Sequence, residues 1–244
     1  MRSVTDSDSR VQARLEELAT AYALPDAAPE RLVALLALVA GSPHALTTVR
    51  DPVDGVEVHI ADSLAGLLIP AVRSADTIAD LGSGAGFPGL VLATTLPGAH
   101  VVLVESVGKK AAFLEDASER MGLENVEVVR ARAESWRAGI GACDVVTARA
   151  LASLAVLLEY GSPLLREGGV LVAWKGRRDP DEEAAGRRAA AELAMSAPEA
   201  IVTPPIAGGE RYLDLSRKVG PTPPGYPRRE GMARKRPLGA SGRG

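Results

Sequence analysis

Apolar and polar positions along this chain follow two rhythms, and the change falls near Ser74. Before it the period is helical. Val11, Leu15, Leu18 and Tyr22 recur at spacings of three and four, and residues 32–40 are apolar throughout behind Pro29-Glu30, where a proline suits a first turn. A third helical stretch is predicted over 56–72, with Val56, Ile60, Leu64, Leu67 and Leu68 on one face and Asp62 and Ser63 off it. Residues 1–10 are polar and are expected to be disordered. Residues 1–74 therefore read as a helical cap.

After Ser74 the rhythm becomes strand, loop, helix. Residues 77–81 read as a short buried strand, followed by glycines at 82, 84, 86 and 89. Residues 90–96 are helical until Pro97-Gly98. The uninterrupted apolar run 101–104 is the mark of a strand covered on both faces. Residues 109–121 are amphipathic, with Gly122 as terminator. Strands are predicted at 126–129, 145–148 and 170–174, with a helix over 153–160. Asp179-Pro180 opens a further helix with acids in its first turn. Residues 199–202 and 212–215 read as closing strands with no long helix between them. This alternation predicts an α/β fold over 75–216: a Rossmann-like, doubly wound, mostly parallel sheet of seven strands under the N-terminal cap.

Composition and charge change the picture in four places. Of 244 residues, 46 % are apolar and 24 % charged, which excludes collagen, coiled coil and global disorder. The longest apolar run has nine residues against the roughly 20 that span a bilayer, and it lies too far in for a signal peptide, so a cytoplasmic protein with no membrane partner is expected. A single cysteine, Cys143, excludes an internal disulfide framework. The net charge of −3 hides an asymmetry: residues 217–244 carry eight basic residues and one acid, +7, which leaves −10 on the rest. A basic tail on an acidic body suits a polyanionic partner, since Lys and Arg release counterions from phosphates; it equally suits a solvated tail that only aids solubility.

The stretch richest in chemistry is Asp80-Leu81-Gly82-Ser83-Gly84-Ala85-Gly86-Phe87-Pro88-Gly89. In a doubly wound sheet, ligands bind beyond the C-terminal ends of the strands, where a glycine loop lets backbone N–H groups approach them. Glu105, at the end of the next strand, is placed to accept hydrogen bonds from a ribose diol. Gly84, Gly86 and Gly89 satisfy the dinucleotide fingerprint, which leaves an NAD(P) oxidoreductase open. Two features favour a different nucleotide. Pro88 removes an N–H where a pyrophosphate would be cradled, and Asp80 places a carboxylate that would repel phosphate but suit an ammonium and a sulfonium. The pattern D-x-G-x-G-x-G with an acid one strand later resembles class I S-adenosylmethionine-dependent methyltransferases. At the third strand end, Ala133 and Glu134 are candidates for holding the adenine. Past the fourth, Arg149 stands where a methyl acceptor would approach, able to orient a base or phosphate through its planar fork.

Further motifs make the resemblance specific. Leu46-Thr47-Thr48-Val49-Arg50-Asp51, His59-Ile60-Ala61-Asp62-Ser63, Ser106-Val107-Gly108-Lys109-Lys110, Thr147-Ala148-Arg149-Ala150, Trp174-Lys175-Gly176, Gly209-Glu210-Arg211, Tyr226-Pro227-Arg228-Arg229 and Lys235-Arg236-Pro237-Leu238 accompany the glycine loop. Over residues 46–238 the chain resembles the bacterial small-subunit ribosomal RNA guanine-N7 methyltransferase family, also called glucose-inhibited division protein B. That resemblance implies methylation of 16S rRNA at guanine N7 (G527 in the usual rRNA numbering) by a monomer. It places S-adenosylmethionine on Gly82, Phe87, Ala133, Glu134 and Arg149, with Glu105 at the ribose. Asp80 and Gly84 complete the expected cofactor set. Ala45, Val58 and Glu105 depart from the family's commoner Asn, Arg and Asp; only the last touches the cofactor site, and it keeps the carboxylate.

Guanine N7 carries a lone pair and no proton, so no general base is expected. Arg149 and Lys175, at neighbouring strand ends, are expected to place the base or its phosphate. Arg50, Arg211, Arg228, Arg229, Lys235 and Arg236 are expected to grip RNA backbone. Cys143 reads as a buried strand thiol. His44, His59 and His100 show no ligand spacing, so no metal is expected. A non-catalytic RNA-binding or assembly factor that has kept the fold stays open beside the oxidoreductase.

Overall fold

Helices come first, as spacings of three and four predict. In this computed structural model, which describes residues 4–49, 51–206 and 209–239, α1 (Val4–Tyr22) packs on α2 (Ala28–Gly41) through Val11, Leu15, Leu32 and Leu35, all buried. Residues 4–10 are helical, against the expected disorder. Once a helix is anchored by packed residues, each added residue gains a hydrogen bond for little further cost, so the polar stretch upstream is drawn in.

The helix predicted over 56–72 is several pieces. Asp51 caps α3 (Pro52–Gly55) by accepting from the Val53 N–H at 2.8 Å. A π turn (Val56–Ala61), α4 (Asp62–Leu64) and a 3-10 turn (Ala65–Leu68) follow, and α5 (Pro70–Arg73) begins after a break. Pro70 explains the break: it confines Ile69 to extended backbone, φ −92° and ψ 114°. The wide π turn shifts the phase of the buried face. Asp62 and Ser63, which a 3.6 period puts off that face, are 8 % and 0 % exposed.

Seven strands form one sheet, as expected: β1 (Thr77–Leu81), β2 (His100–Val104), β3 (Val126–Val129), β4 (Cys143–Arg149), β5 (Leu165–Lys175), β6 (Glu199–Val202) and β7 (Tyr212–Arg217) in the order β3-β2-β1-β4-β5-β7-β6. All pairings are parallel except those of β7 with β5 and β6. Strand alternation sorts the core. Ile78, Val101, Leu103, Val145 and Val172 face a cluster that also contains the buried residues of α1, α2 and α6 (Gly89–Thr95), together with Leu114 of α7 (Gly108–Arg120). Ala79, Val102, Val104, Val146 and Leu171 face α8 (Leu154–Gly161) and α9 (Pro180–Glu192). The N-terminal helices thus share one core with the sheet. Gly66 seats them closely, since a Cβ there would lie 2.8 Å from the Trp174 ring. No helix among the described residues is long and apolar enough to cross a membrane.

The C-terminal segment packs back on the body. Lys218 is buried and donates to Ser162 O at 2.8 Å and its Oγ at 2.7 Å. Arg228 grips the buried carboxylate of Glu159 on α8 with two hydrogen bonds of 2.6 and 2.5 Å. Beyond it, α10 (Met232–Lys235) buries Ala233. Arg228, expected as an RNA contact, spends its Nε and Nη2 on Glu159 and the Arg236 carbonyl, and its side chain stays 24 % exposed. Removing one member of a buried pair leaves the other uncompensated. Arg228→Ala is therefore expected to cost about 3 kcal/mol in urea unfolding, against about 0.5 kcal/mol or less for Arg229→Ala on the exposed neighbour.

Candidate active site

The strand order reverses direction between β1 and β4, and a crevice opens outside their C-terminal ends. The loop 82–89 lines it. Asp80 lies beneath that loop, 1 % exposed, accepting from the Gly89 N–H at 3.2 Å and the Thr147 hydroxyl at 2.8 Å. Burial raises its pKa to about 6 in spite of these hydrogen bonds. Asp80, expected to meet a cationic ligand, ties the loop to β4 through one hydrogen bond on each of its oxygens. Gly89 permits this, since a Cβ there would meet Leu103 at 2.3 Å and Asp80 Oδ2 at 2.8 Å.

Above it, Gly84 takes φ +57°, which points its N–H at Glu105 Oε2, 3.0 Å away. Glu105 Oε1 accepts from the Val107 N–H at 2.8 Å. A carboxylate has about four acceptor sites, so two remain for a diol. The same acid therefore shapes the loop and keeps acceptor capacity.

Two cavities meet at Gly82. The larger, about 630 Å³, is lined by Phe87, Arg149, Trp174, Lys175, His59 and Asp62 among others. Arg149 is held there on four sides. Its Nη1 donates to Val58 O (3.0 Å) and Asp62 Oδ2 (2.9 Å), its Nη2 donates to His59 Nδ1 (3.3 Å), and its guanidinium lies 5.3 Å over the Phe87 ring. His59 stacks on Phe87, centroids 4.5 Å apart at 13°. Burial, and then the Arg149 charge, lower the His59 pKa. The ring is thus neutral, with Nδ1 accepting from Arg149 and the Nε2 proton left to the Val49 carbonyl at 3.3 Å. Lys175 donates to Glu182 at 2.5 Å and to Ala152 O at 3.3 Å. Lys110 and Arg211 line the same cavity, so its mouth is basic.

The smaller cavity, about 230 Å³, is lined by Gly82, Val104, Ala133, Glu134, Leu151, Tyr160 and Arg234 among others. Glu134 is 7 % exposed and accepts from the Gly231 N–H at 3.0 Å. The sites expected for adenine and for the acceptor thus fall in adjoining hollows. Arg229, Lys235 and Arg236 are exposed on the C-terminal segment, apart from the residues lining either hollow, and Arg50 lies outside the described residues. Asp62, Lys110 and Arg234 were missed as site residues by sequence reasoning. Asp62 sits in the quoted His59–Ser63 motif, three residues after His59, and that spacing was its only signal.

An open parallel sheet with this loop and a second acid at the next strand end defines a class I methyltransferase fold. Solved structures agree. A SAM-dependent O-methyltransferase from Thermotoga maritima superposes with a TM-score of 0.56 at 18 % identity, covering 78 % of this chain and 72 % of that one. A SAM-dependent methyltransferase from Aquifex aeolicus gives 0.54 at 15 %, covering 68 % and 93 %. More particularly, residues 28–203 match the family model GidB, rRNA small subunit methyltransferase G, and the chain belongs to that family. Ribosomal RNA small subunit methyltransferase G of Rubrobacter xylanophilus is 44 % identical over 200 residues, 79 % of this chain and 77 % of the relative. That of Deinococcus radiodurans is 41 % identical over 221 residues, 87 % of each.

Behind Lys175, Asp214 of β7 is 5 % exposed, and burial raises its pKa to about 6, with Glu183 and Glu182 adding to the rise while Lys175 and Arg178 oppose it. A carboxyl whose folded pKa exceeds its unfolded value of 3.8 weakens the fold as it ionises. Relative to wild type, Asp214→Asn is expected to gain stability progressively from about pH 4 to about pH 6 and no further above it. Unfolding midpoints across that range check the sign.

Proposed function

We propose that this chain transfers the methyl group of S-adenosylmethionine to N7 of a guanine in 16S rRNA of the small ribosomal subunit, in the cytoplasm where that subunit is assembled. The observation that carries the reading is Arg149, clamped by Asp62, His59 and the Phe87 ring where the glycine loop meets a basic mouth. The residues fit the donor: the smaller cavity offers Ala133 and Glu134 to an adenine, Glu105 has acceptor sites left for a ribose, and Gly82 borders both hollows. Bound there, S-adenosylmethionine supplies a methyl group on a positively charged sulfur, open to displacement by a lone pair.

Guanine N7 has such a lone pair and no proton, so no side chain has to remove one. That suits a cavity whose only histidine has both ring nitrogens engaged. The protein's share is alignment, which by itself is worth several powers of ten. Arg149 keeps one planar face on Phe87 and offers the other to the acceptor. Lys175 and Lys110 flank it, and Arg211 extends the cationic rim toward backbone phosphates. With only eight aromatic residues in the chain, recognition rests on shape and phosphate contact more than on stacking. An oxidoreductase reading is disfavoured by Asp80, whose charge sits under the turn where a diphosphate would lie.

Labelled methyl transfer from S-adenosylmethionine to small subunits, followed by nuclease digestion and mass spectrometry, tests the proposal; label absent from N7-methylguanine would reject it. Arg149→Ala is expected to lower methylation at least about tenfold more than it lowers donor affinity, and equal losses would deny it an acceptor-side role. With about four phosphate contacts, log affinity for rRNA should fall against log salt with a slope of about −3, whereas a flat response would point to a small-molecule acceptor.

A further inference from the structure

The C-terminal segment reaches the donor side of the crevice from two directions at once. From one side, the Gly231 N–H donates to Glu134 Oε1 at 3.0 Å, and the neighbouring Glu230 pairs with Arg132 at 3.4 Å and accepts from the Ser135 hydroxyl. From the other, Arg234 Nη2 donates to Leu151 O at 3.0 Å, and the Leu151 side chain lies over Gly82, so close that a Cβ there would stand 2.6 Å from its Cδ1. Tyr160, on the floor of the same hollow, faces both Glu134 and Arg234. Arg228 anchors the approach through its fork on Glu159. Gly231 holds φ +76°, a conformation in which its N–H turns toward Glu134.

We propose that residues 230–234 form a strap that completes the adenosine pocket, spanning it from Glu134 in the turn after β3 to Leu151 in the loop after β4, and that donor affinity depends on the strap being docked. The proposal rests on the reading of the smaller cavity as the adenosine site. A carboxylate fixed on one oxygen by Gly231 presents the other in a set direction, so the strap orients Glu134 toward an exocyclic amine. The Arg234 guanidinium closes the remaining side. Gly231 and Arg234 are positioning residues for the donor.

Two variants of the full chain test this, with S-adenosylmethionine as titrant. Gly231→Pro removes the N–H and cannot hold a positive φ; Arg234→Ala opens the wall without touching the backbone. Each is expected to raise the Kd about three- to tenfold, the size of one or two lost hydrogen bonds, and to raise KM for the donor without a matching rise for the subunit. In the wild type, the donor should slow amide exchange across 230–236. Unchanged donor affinity in Arg234→Ala together with unchanged exchange would overturn the strap, whether or not Gly231→Pro folds. Glu134→Gln separates the two readings. Weakened donor binding in that variant alone sinks the strap and keeps the pocket, whereas unaltered binding there sinks the pocket assignment itself.

Discussion

One buried carboxylate organises the crevice. Asp80 ends β1 between Leu103 of β2 and Thr147 of β4, where the sheet parts. An unpartnered charge there would be costly, and the Gly89 N–H and Thr147 hydroxyl offset part of that cost. The offset is incomplete, since burial still outweighs the hydrogen bonds in setting its pKa. What the protein gains is position. A single side chain fastens the start of α6 to β4, so the turn from Gly82 to Gly86 hangs between two fixed points, with its glycine N–H groups donating to Val104 O, Glu105 and Ser83 O.

From that anchor the crevice divides by chemistry. The smaller hollow is bordered by Ala133 and the acid Glu134. The larger is bordered by cations backed by acids and a ring: Arg149 on Asp62 and Phe87, Lys175 on Glu182. The second group depends on the N-terminal helices, because Asp62, His59 and the Val58 carbonyl all come from the π turn and the helix after it. A regular helix through 56–64 would turn Asp62 away from Arg149. The irregular segment is thus the part of the cap that reaches into the chemistry, and Trp174, donating to Asp62 O at 2.7 Å, locks it to the sheet.

The sheet was legible because its strands carry continuous apolar runs between turn residues, and a covered parallel sheet imposes that pattern. The glycine loop and the acids at 105 and 134 stand out in the sequence because the turns after the strands of such a sheet recur at fixed points of the strand rhythm. The broken helix does not, since a π turn leaves no mark in a period of 3.6 beyond buried polar residues that look misplaced. Asp80 marks the limit of spacing, which says that an acid lies near the strand end but not that its oxygens accept from the Gly89 N–H and the Thr147 hydroxyl.

Charge counting met its limit at the C-terminus for a related reason. A tail of net +7 reads as an arm for polyanions, but a count is blind to what each cation touches. Lys218 is buried on Ser162, Arg217 donates to Gly168 O at 2.8 Å, Arg228 is locked to Glu159, and Arg234 reaches Leu151. Among the described residues of the segment, Arg217 and Arg234 are exposed even as they bond, as are Arg229, Lys235 and Arg236. The cations that looked interchangeable therefore differ in what they hold: Arg217, Lys218, Arg228 and Arg234 fasten the segment to the body. Charge spent in this way sets where the chain runs, here past the smaller cavity, and a count of residues cannot tell it from charge left for a partner.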